Sequence, residues 1–222
     1  MHSYPLPLQI LCVSAPSRGV FIKKTSRKPD GVAMFWKTDK LQMKSYEAIS
    51  LDKPNGDESG KATRPAVSPH VIGMAERGSV GVVAHFQHLE TSLEFVVTTT
   101  HLFWDPAQED VKLLQARRML RAVDAFTSAM NASTPTIFAG DFNSLPDSKV
   151  YQFITDNKHF RSAYARYGDG GEPAFTNVNG ATETEDKKQV PSFVGTLDYI
   201  FYRSTRYARL CSGYFPGLLA SH

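Results

Sequence analysis

Cysteine is almost missing: Cys12 and Cys211 are the only two in 222 residues. That scarcity argues against a disulfide scaffold and against a thiolate zinc site, and it fits a reducing compartment, so a cytoplasmic protein with nuclear presence is the expectation. No apolar run is long enough to cross a membrane. The opening stretch, MHSYPLPLQILCVSAPS, lacks a basic start and carries Pro5 and Pro7, which argues against a secretory signal. There is no internal repeat. No serine or thiol with a matching base stands out, which favours metal-assisted attack by water over a covalent intermediate. Charge is only mildly one-sided, at +3, compatible with a polyanionic partner without specifying one. What is present is enough for a core: 41% of residues are hydrophobic, which excludes a disordered chain and suits one domain or at most two small ones.

Hydrophobic patterning places the elements. Residues 30–36, DGVAMFW, read as a strand opened by a turn, and 52–70, rich in Pro, Gly and charge, as an exposed loop. Residues 79–89 and 93–103 are β-rich runs around a short polar turn, an antiparallel hairpin. A helix follows, with Asp105 as its cap, Pro106 in first position and Gln108 completing a capping box. Leu113, Leu120, Val123, Phe126 and Met130 form its apolar stripe, and Lys112, Arg117, Arg118 and Arg121 a wet basic side. TPTIFAG (134–140) is a strand, 147–155 a short helix, 164–192 mostly loop, and GTLDYIFYR (195–203) a last strand. Locally paired strands mixed with helices predict a layered α/β or α+β sandwich.

Three strands end in, or contain, residues a core would not choose. Asp198 shares a face with Ile200 and Tyr202 by alternation, and an ionised carboxylate there needs a partner or a metal. A turn or an arginine that hydrogen-bonds it is the equal alternative. Asp141 and Asn143 fall on one face if strand geometry persists past Gly140; such a pair holds a hard cation, orients water or donates to phosphate. An ordinary Asx turn accounts for Gly140, Asp141, Asn143, Ser144 and Pro146 as well. His101 alone reads as a half-buried histidine, and His70, His85 and His88 carry no functional reading. The basic run Lys23, Lys24, Arg27 and Lys28 reads as a solvated loop, and Phe103, Trp104 and Phe193 as core or as platforms for bases. The conjunction matters more than any member: carboxylate, amide and imidazole sit at the ends of separate strands, and sandwich folds bring such ends to one rim.

The segments THLFWDPAQEDVKLLQARRML, FAGDFNSLPDSKVYQF and GTLDYIFY resemble motifs of the exonuclease–endonuclease–phosphatase superfamily, and more narrowly the carbon catabolite repressor type of deadenylase. GVFIKKTSRKPDGVAMFWKTDKLQ and RSAYARYGDGGEPAFTN are similar to that subfamily too, so the likeness runs from about residue 17 to 204. The resemblance implies a deoxyribonuclease-I-like four-layer α/β sandwich, two mixed sheets flanked by helices. It implies Mg²⁺-dependent hydrolysis, with Mn²⁺ as a substitute, that removes adenylate from the 3′ end of an RNA poly(A) tail. A larger deadenylase complex is the implied partner. By resemblance Asp141 activates or orients the water, Asn143 holds the phosphate near a metal, His101 contacts the phosphate, Asp198 orients a C-terminal histidine, and Phe193 stacks on the terminal adenine. Asp141 and Asn143 are the expected metal ligands.

The chain departs from this pattern at both ends. The subfamily's metal-binding glutamate, from a QE motif, should lie upstream of GVF, and residues 1–16 contain no glutamate. At the other end, FPGLLASH stands where an SDH motif is expected, so His222 receives no role. Residues 180–190 read as a polar insertion. The expectation is an atypical segment over 1–16 and a partial, incomplete domain over 17–222. A related phosphohydrolase (2′–5′ phosphodiesterase, nucleotide phosphatase or DNA nuclease) and an inactive RNA-binding or scaffold protein are the alternatives.

Overall fold

A computed structural model describes residues 16–25, 29–52, 77–157, 159–165, 171–183 and 189–204. The loop expected over 52–70 falls outside them from residue 53 onward, as do Cys12, Cys211, His70, His222, Arg27 and Lys28. The strands are β1 (Ser17–Lys23), β2 (Gly31–Lys37), β3 (Leu41–Ser50), β4 (Val80–His88), β5 (Glu94–His101) and β6 (Thr136–Asp141). After them come β7 (Arg161–Ser162), β8 (Asn177–Asn179), β9 (Thr182–Glu183), β10 (Gln189–Val190), β11 (Phe193–Gly195) and β12 (Asp198–Arg203). Two helices, α1 (Glu109–Thr127) and α2 (Lys149–Gln152), join them, and α2 continues into a π-helical turn, Phe153–Asn157. The stretch expected as mostly loop over 164–192 thus contains three short strands.

Six strands form one sheet in the order β3-β4-β5-β6-β12-β7. The hairpin β4–β5 is antiparallel, as the short polar turn between its two runs predicts, and the sheet is mixed because β5 and β6 run parallel with α1 as the crossover between them. Alternation gives the sheet two apolar faces. On β4, Val80, Val82, Ala84 and Phe86 meet Val20, Val32, Met34 and Trp36 of the β1–β2 hairpin, a second small sheet. Val83, Val96, Phe138, Tyr199 and Phe201 point the other way into a core with Ala116, Met119, Leu120 and Val123 of α1. Gly81 allows the close approach: a Cβ there would lie 2.4 Å from the Met119 sulfur. Two sheets face to face, with helices over one of them, are the expected sandwich as far as the described residues build it.

Two readings of α1 need correction. Asp105 does not cap the helix; it folds a turn, accepting Ala107 N–H at 2.9 Å and the Gln108 side chain at 2.8 Å, and Gln108 itself takes the N-cap position, without a side-chain cap hydrogen bond, before the helix starts at Glu109. An aspartate bonding two residues ahead stabilises a turn as readily as a cap. Nor is the basic side wet throughout. Lys112 and Arg118 are 4% and 1% exposed, with Arg118 donating to Leu51 O at 2.7 Å, while Arg117 and Arg121 do face water. The helix is covered on more than one side, and Met130 lies beyond its end.

Strand β6 runs between β5 and β12, and backbone contact is tight at Gly140. A Cβ there would lie 2.2 Å from Thr100 O on β5. Because that obstacle is the backbone of a paired strand, it cannot swing away. Gly140→Ala is expected to destabilise the protein by about 1–3 kcal/mol in urea unfolding, and a change under a few tenths would show that the two strands separate easily.

Candidate functional site

Register brings three of the expected residues into one row. In the parallel pair β5–β6, His101 lies opposite Asp141; in the antiparallel pair β6–β12, Asp198 lies opposite Asp141. Residues directly opposite share a face, so imidazole and two carboxylates stand side by side where β5 and β6 end and β12 begins. The face is the one that carries Val97 toward the β1–β2 hairpin; it is wetter over β12, where Ile200 is exposed. His101 Nε2 is 3.6 Å from Asp141 Oδ2, beyond a good hydrogen bond but close enough for strong coupling. Burial pushes the His101 imidazole below the usual histidine range, with Asp141 opposing, so the ring is neutral at pH 7. Burial raises Asp141 above the usual carboxylate range, opposed by the Asn143 N–H and by His101.

Asn143 joins the row by a turn and not by alternation. The strand ends at Asp141, and Asn143 takes a left-handed backbone, φ 46°, which asparagine tolerates better than most residues. Its N–H donates to Asp141 Oδ1 at 2.8 Å, the Asx turn foreseen as the bland alternative. Turn and site are the same object here. The Asn143 side chain donates through Nδ2 to Leu102 O at 3.0 Å. A carbonyl can only accept, so the amide's nitrogen is turned toward the loop after His101, and Oδ1 accepts no hydrogen bond among the described residues. Phe142, between the two polar residues, turns to the opposite face and is 1% exposed.

Asp198 is held by a residue that the sequence did not flag. Thr176 Oγ1 accepts from the backbone N–H of Leu197 and Asp198, both at 3.0 Å, and donates to Asp198 Oδ2 at 3.0 Å. Nothing in local spacing ties a loop threonine to an aspartate 22 residues later; the motif FTN is its only signal. Thr176→Val is expected to cost about 1 kcal/mol in chemical unfolding and to lower any activity that depends on Asp198, with Thr176→Ser restoring both. Parent-like stability and rate in the valine variant would show that the hydroxyl does not position Asp198.

Phe193 sits on β11, which pairs with β8. Its ring and Leu145 flank Gly195, since a Cβ on that glycine would lie 2.6 Å from Phe193 Cζ and 3.1 Å from Leu145 Cδ2. Leu145 follows Asn143 closely in sequence, so the aromatic stands beside the Asn143 turn, half-buried. Trp104 is more than half exposed and leans on Phe103 at 5.9 Å, while the Arg77 guanidinium covers Phe103 at 4.8 Å. Lys24 is not the solvated cation expected: it pairs with Asp30 at 2.5 Å, its side chain is 13% exposed, and both charges act on His101.

The donors offered are hard oxygens, the Asp141 carboxylate and Asn143 Oδ1, which suits Mg²⁺ or Mn²⁺ in kind. Among the described residues no group of three or more His, Cys, Asp or Glu is arranged to hold a metal ion. A carboxylate and an amide alone would hold Mg²⁺ weakly, and the ion would depend on further oxygen donors to complete its shell.

Comparison with known proteins agrees with this geometry. A model of the endonuclease/exonuclease/phosphatase family matches residues 3–221. The probable CCR4-Not complex 3′-5′-exoribonuclease subunit Ccr4 of Vairimorpha ceranae is 30% identical over 185 residues, 81% of this chain and 38% of that protein. Carbon catabolite repressor protein 4 homolog 4 of Arabidopsis thaliana is 30% identical over 216 residues, 82% of this chain and 50% of that protein. The chain thus spans half or less of the length of these relatives. Among solved structures, the human Nocturnin catalytic domain with bound sulfate superposes with a TM-score of 0.62 at 22% identity, covering 84% of this chain and 60% of that one. ANGEL2, a 2′,3′-cyclic phosphatase, gives 0.63 at 22% identity, covering 86% and 62%. At such identities the structures share a fold, the deoxyribonuclease-I-like sandwich. With its motifs, register and fold in agreement, the chain belongs to the endonuclease/exonuclease/phosphatase family, and its similarity within that family is to the carbon catabolite repressor type.

Proposed function

We propose that the protein is a divalent-metal-dependent phosphodiester hydrolase that removes adenylate from the 3′ end of RNA. The observation that carries this reading is the row His101–Asp141–Asp198 across three adjacent strands, with Asn143 turned in beside it. The names of the Ccr4 relatives point to 3′-5′ exoribonuclease activity, and poly(A) is the substrate proposed on that basis. A larger deadenylase assembly is the proposed partner, and cytoplasm with nuclear presence the proposed location.

Asp141 and Asn143 Oδ1 would hold a Mg²⁺ or Mn²⁺ ion. Bound there, it supplies Lewis-acid charge to a phosphate oxygen. The chain's own residues do the rest. Asp141 orients the attacking water and takes its proton at Oδ2, since Oδ1 already accepts the Asn143 N–H. His101, neutral at pH 7, donates through Nε2 to a non-bridging phosphate oxygen. Asp198, fixed by Thr176, presents a second carboxylate for orienting a donor near the leaving oxygen. Phe193 offers a ring face to the terminal base.

The test is hydrolysis of a 3′-labelled oligoadenylate by the purified chain with Mg²⁺, with and without chelator. Release of adenylate that stops with chelator is the expected result. Preference for a phosphomonoester, a 2′–5′ linkage or DNA would move the protein to the related phosphohydrolases. Oligoadenylate binding with no turnover would make it an RNA-binding protein that has kept the fold.

A further inference from the structure

The helix α1 contributes two polar side chains that its packing does not need. Lys112 and Gln115, one turn apart on the same face, are 4% and 0% exposed. Each makes its contact with backbone beside the site. Lys112 Nζ donates to Asn143 O at 2.7 Å. Gln115 Oε1 accepts from Phe103 N–H at 2.9 Å. Gln115 Nε2 is buried with no hydrogen-bond partner among the described residues. A buried ammonium and a half-satisfied buried amide both oppose stability, where an apolar residue of like volume would not.

What they hold is a pair of loops already stitched together. Leu102 N–H donates to Asp141 O at 3.0 Å, and Asn143 Nδ2 donates back to Leu102 O at 3.0 Å. The loop after His101 and the turn after Asp141 therefore lean on each other. The helix fixes one from each side: Gln115 takes Phe103, one residue past the Leu102 carbonyl, and Lys112 takes Asn143 itself.

We infer that Lys112 and Gln115 are positioning residues, a buried polar clamp that keeps Asn143 in its left-handed turn with its amide nitrogen on Leu102 O and its Oδ1 facing the site. The inference rests on the proposed role of Asp141 and Asn143 and adds how the second is oriented. Both loops end strands that are fixed by the sheet, yet the turn itself lies past the last strand pair. The sheet supplies part of its hold, through Asn143 N–H on Asp141 Oδ1 and Phe142 N–H on Leu197 O, and the helix adds the contacts to Asn143 O and Phe103 N–H.

The experiment uses the full chain, ¹⁵N-labelled, with three readouts: the Asn143 side-chain NH₂ cross-peaks, Mn²⁺ binding by paramagnetic broadening, and thermal unfolding. Lys112→Met keeps the volume and removes the donor; Lys112→Arg keeps a donor. In Lys112→Met the two Asn143 NH₂ peaks are expected to move to the positions of a free asparagine, and Mn²⁺ affinity to fall by about tenfold or more, with unfolding unchanged or shifted upward. Lys112→Arg is expected to retain the parent's peaks and affinity. A merely structural lysine would lower the unfolding temperature and leave the Asn143 peaks in place, and that result overturns the clamp. Should Lys112→Met fail to fold, Gln115→Met removes the other contact and is read by the same peaks. If the parent binds no Mn²⁺, the metal-dependent reading fails, while the Asn143 peaks still decide the clamp.

Discussion

Asp141→Asn is expected to lower oligoadenylate hydrolysis by about 10²–10⁴-fold while leaving the fold as stable as the parent or slightly more so. The two halves of that result have one cause. Asp141 is partly buried, and burial raises its pKa above the ordinary value. A carboxylate whose folded pKa is raised favours folding when protonated: that contribution is complete below the unfolded value and is lost as pH rises through the folded one. At neutral pH the ionised group therefore costs stability, and the neutral amide relieves it. The amide keeps an oxygen at the Oδ1 position, so the Asn143 N–H retains its acceptor and the turn survives. What disappears is the charge that holds the cation and the base that takes a proton from water. Steady-state rates alongside urea unfolding check both halves. A variant within twofold of the parent rate would remove Asp141 from the chemistry, and a large loss of stability would show that its charge is structural.

The residue next to it has the reverse profile. Phe142→Ala is expected to destabilise the protein by about 3–5 kcal/mol. The ring is 1% exposed and meets three others edge-on: Phe138 at 4.8 Å, Phe201 at 5.1 Å and Tyr199 at 5.8 Å between centroids. Its removal leaves a cavity bounded by three strand residues that cannot collapse without moving β6 and β12. Position makes the effect larger for the site than for the core alone. Asp141 and Asn143 flank this ring, so the turn is pinned to the hydrophobic layer by the residue between them. Phe142→Leu, which fills part of the space, is expected to lose less. Denaturant unfolding of both variants gives the test, and a cost under about 1 kcal/mol for the alanine would mean that the aromatic cluster is loosely packed.

Much of this was legible from residue type and order. β-prone apolar runs bounded by polar or turn residues marked β2, β4, β5, β6 and β12, because a buried strand draws on such residues. His101, Asp141 and Asp198 stood out because each interrupts an apolar or β-prone run, and a buried polar group needs a reason. The spacing of Asp141 and Asn143, and the segments around them, were enough to identify the family. Alternation also put Asp198 on one face with Ile200 and Tyr202, and the structure makes that the wetter face of the strand.

Other features depended on contacts that no window of sequence contains. Whether Asp141 would face His101 and Asp198 was a matter of register, and a one-residue slip of either pairing would have put them on opposite faces. Residue types left Asn143 open between the strand's face and an Asx turn; a positive φ after the last strand pair puts it in the turn. Counting apolar positions along α1 made Lys112 and Arg118 surface cations, because periodicity records a side chain's own polarity and not the carbonyl waiting for it across the core. Thr176 had no mark beyond its place in FTN until a loop carried it back to Asp198. Sequence determined which groups could do chemistry and on which strands they lay, since both follow from local covalent order. Only the tertiary structure decided which of them meet and which way each faces, because pairing and burial are set by partners distant in the chain.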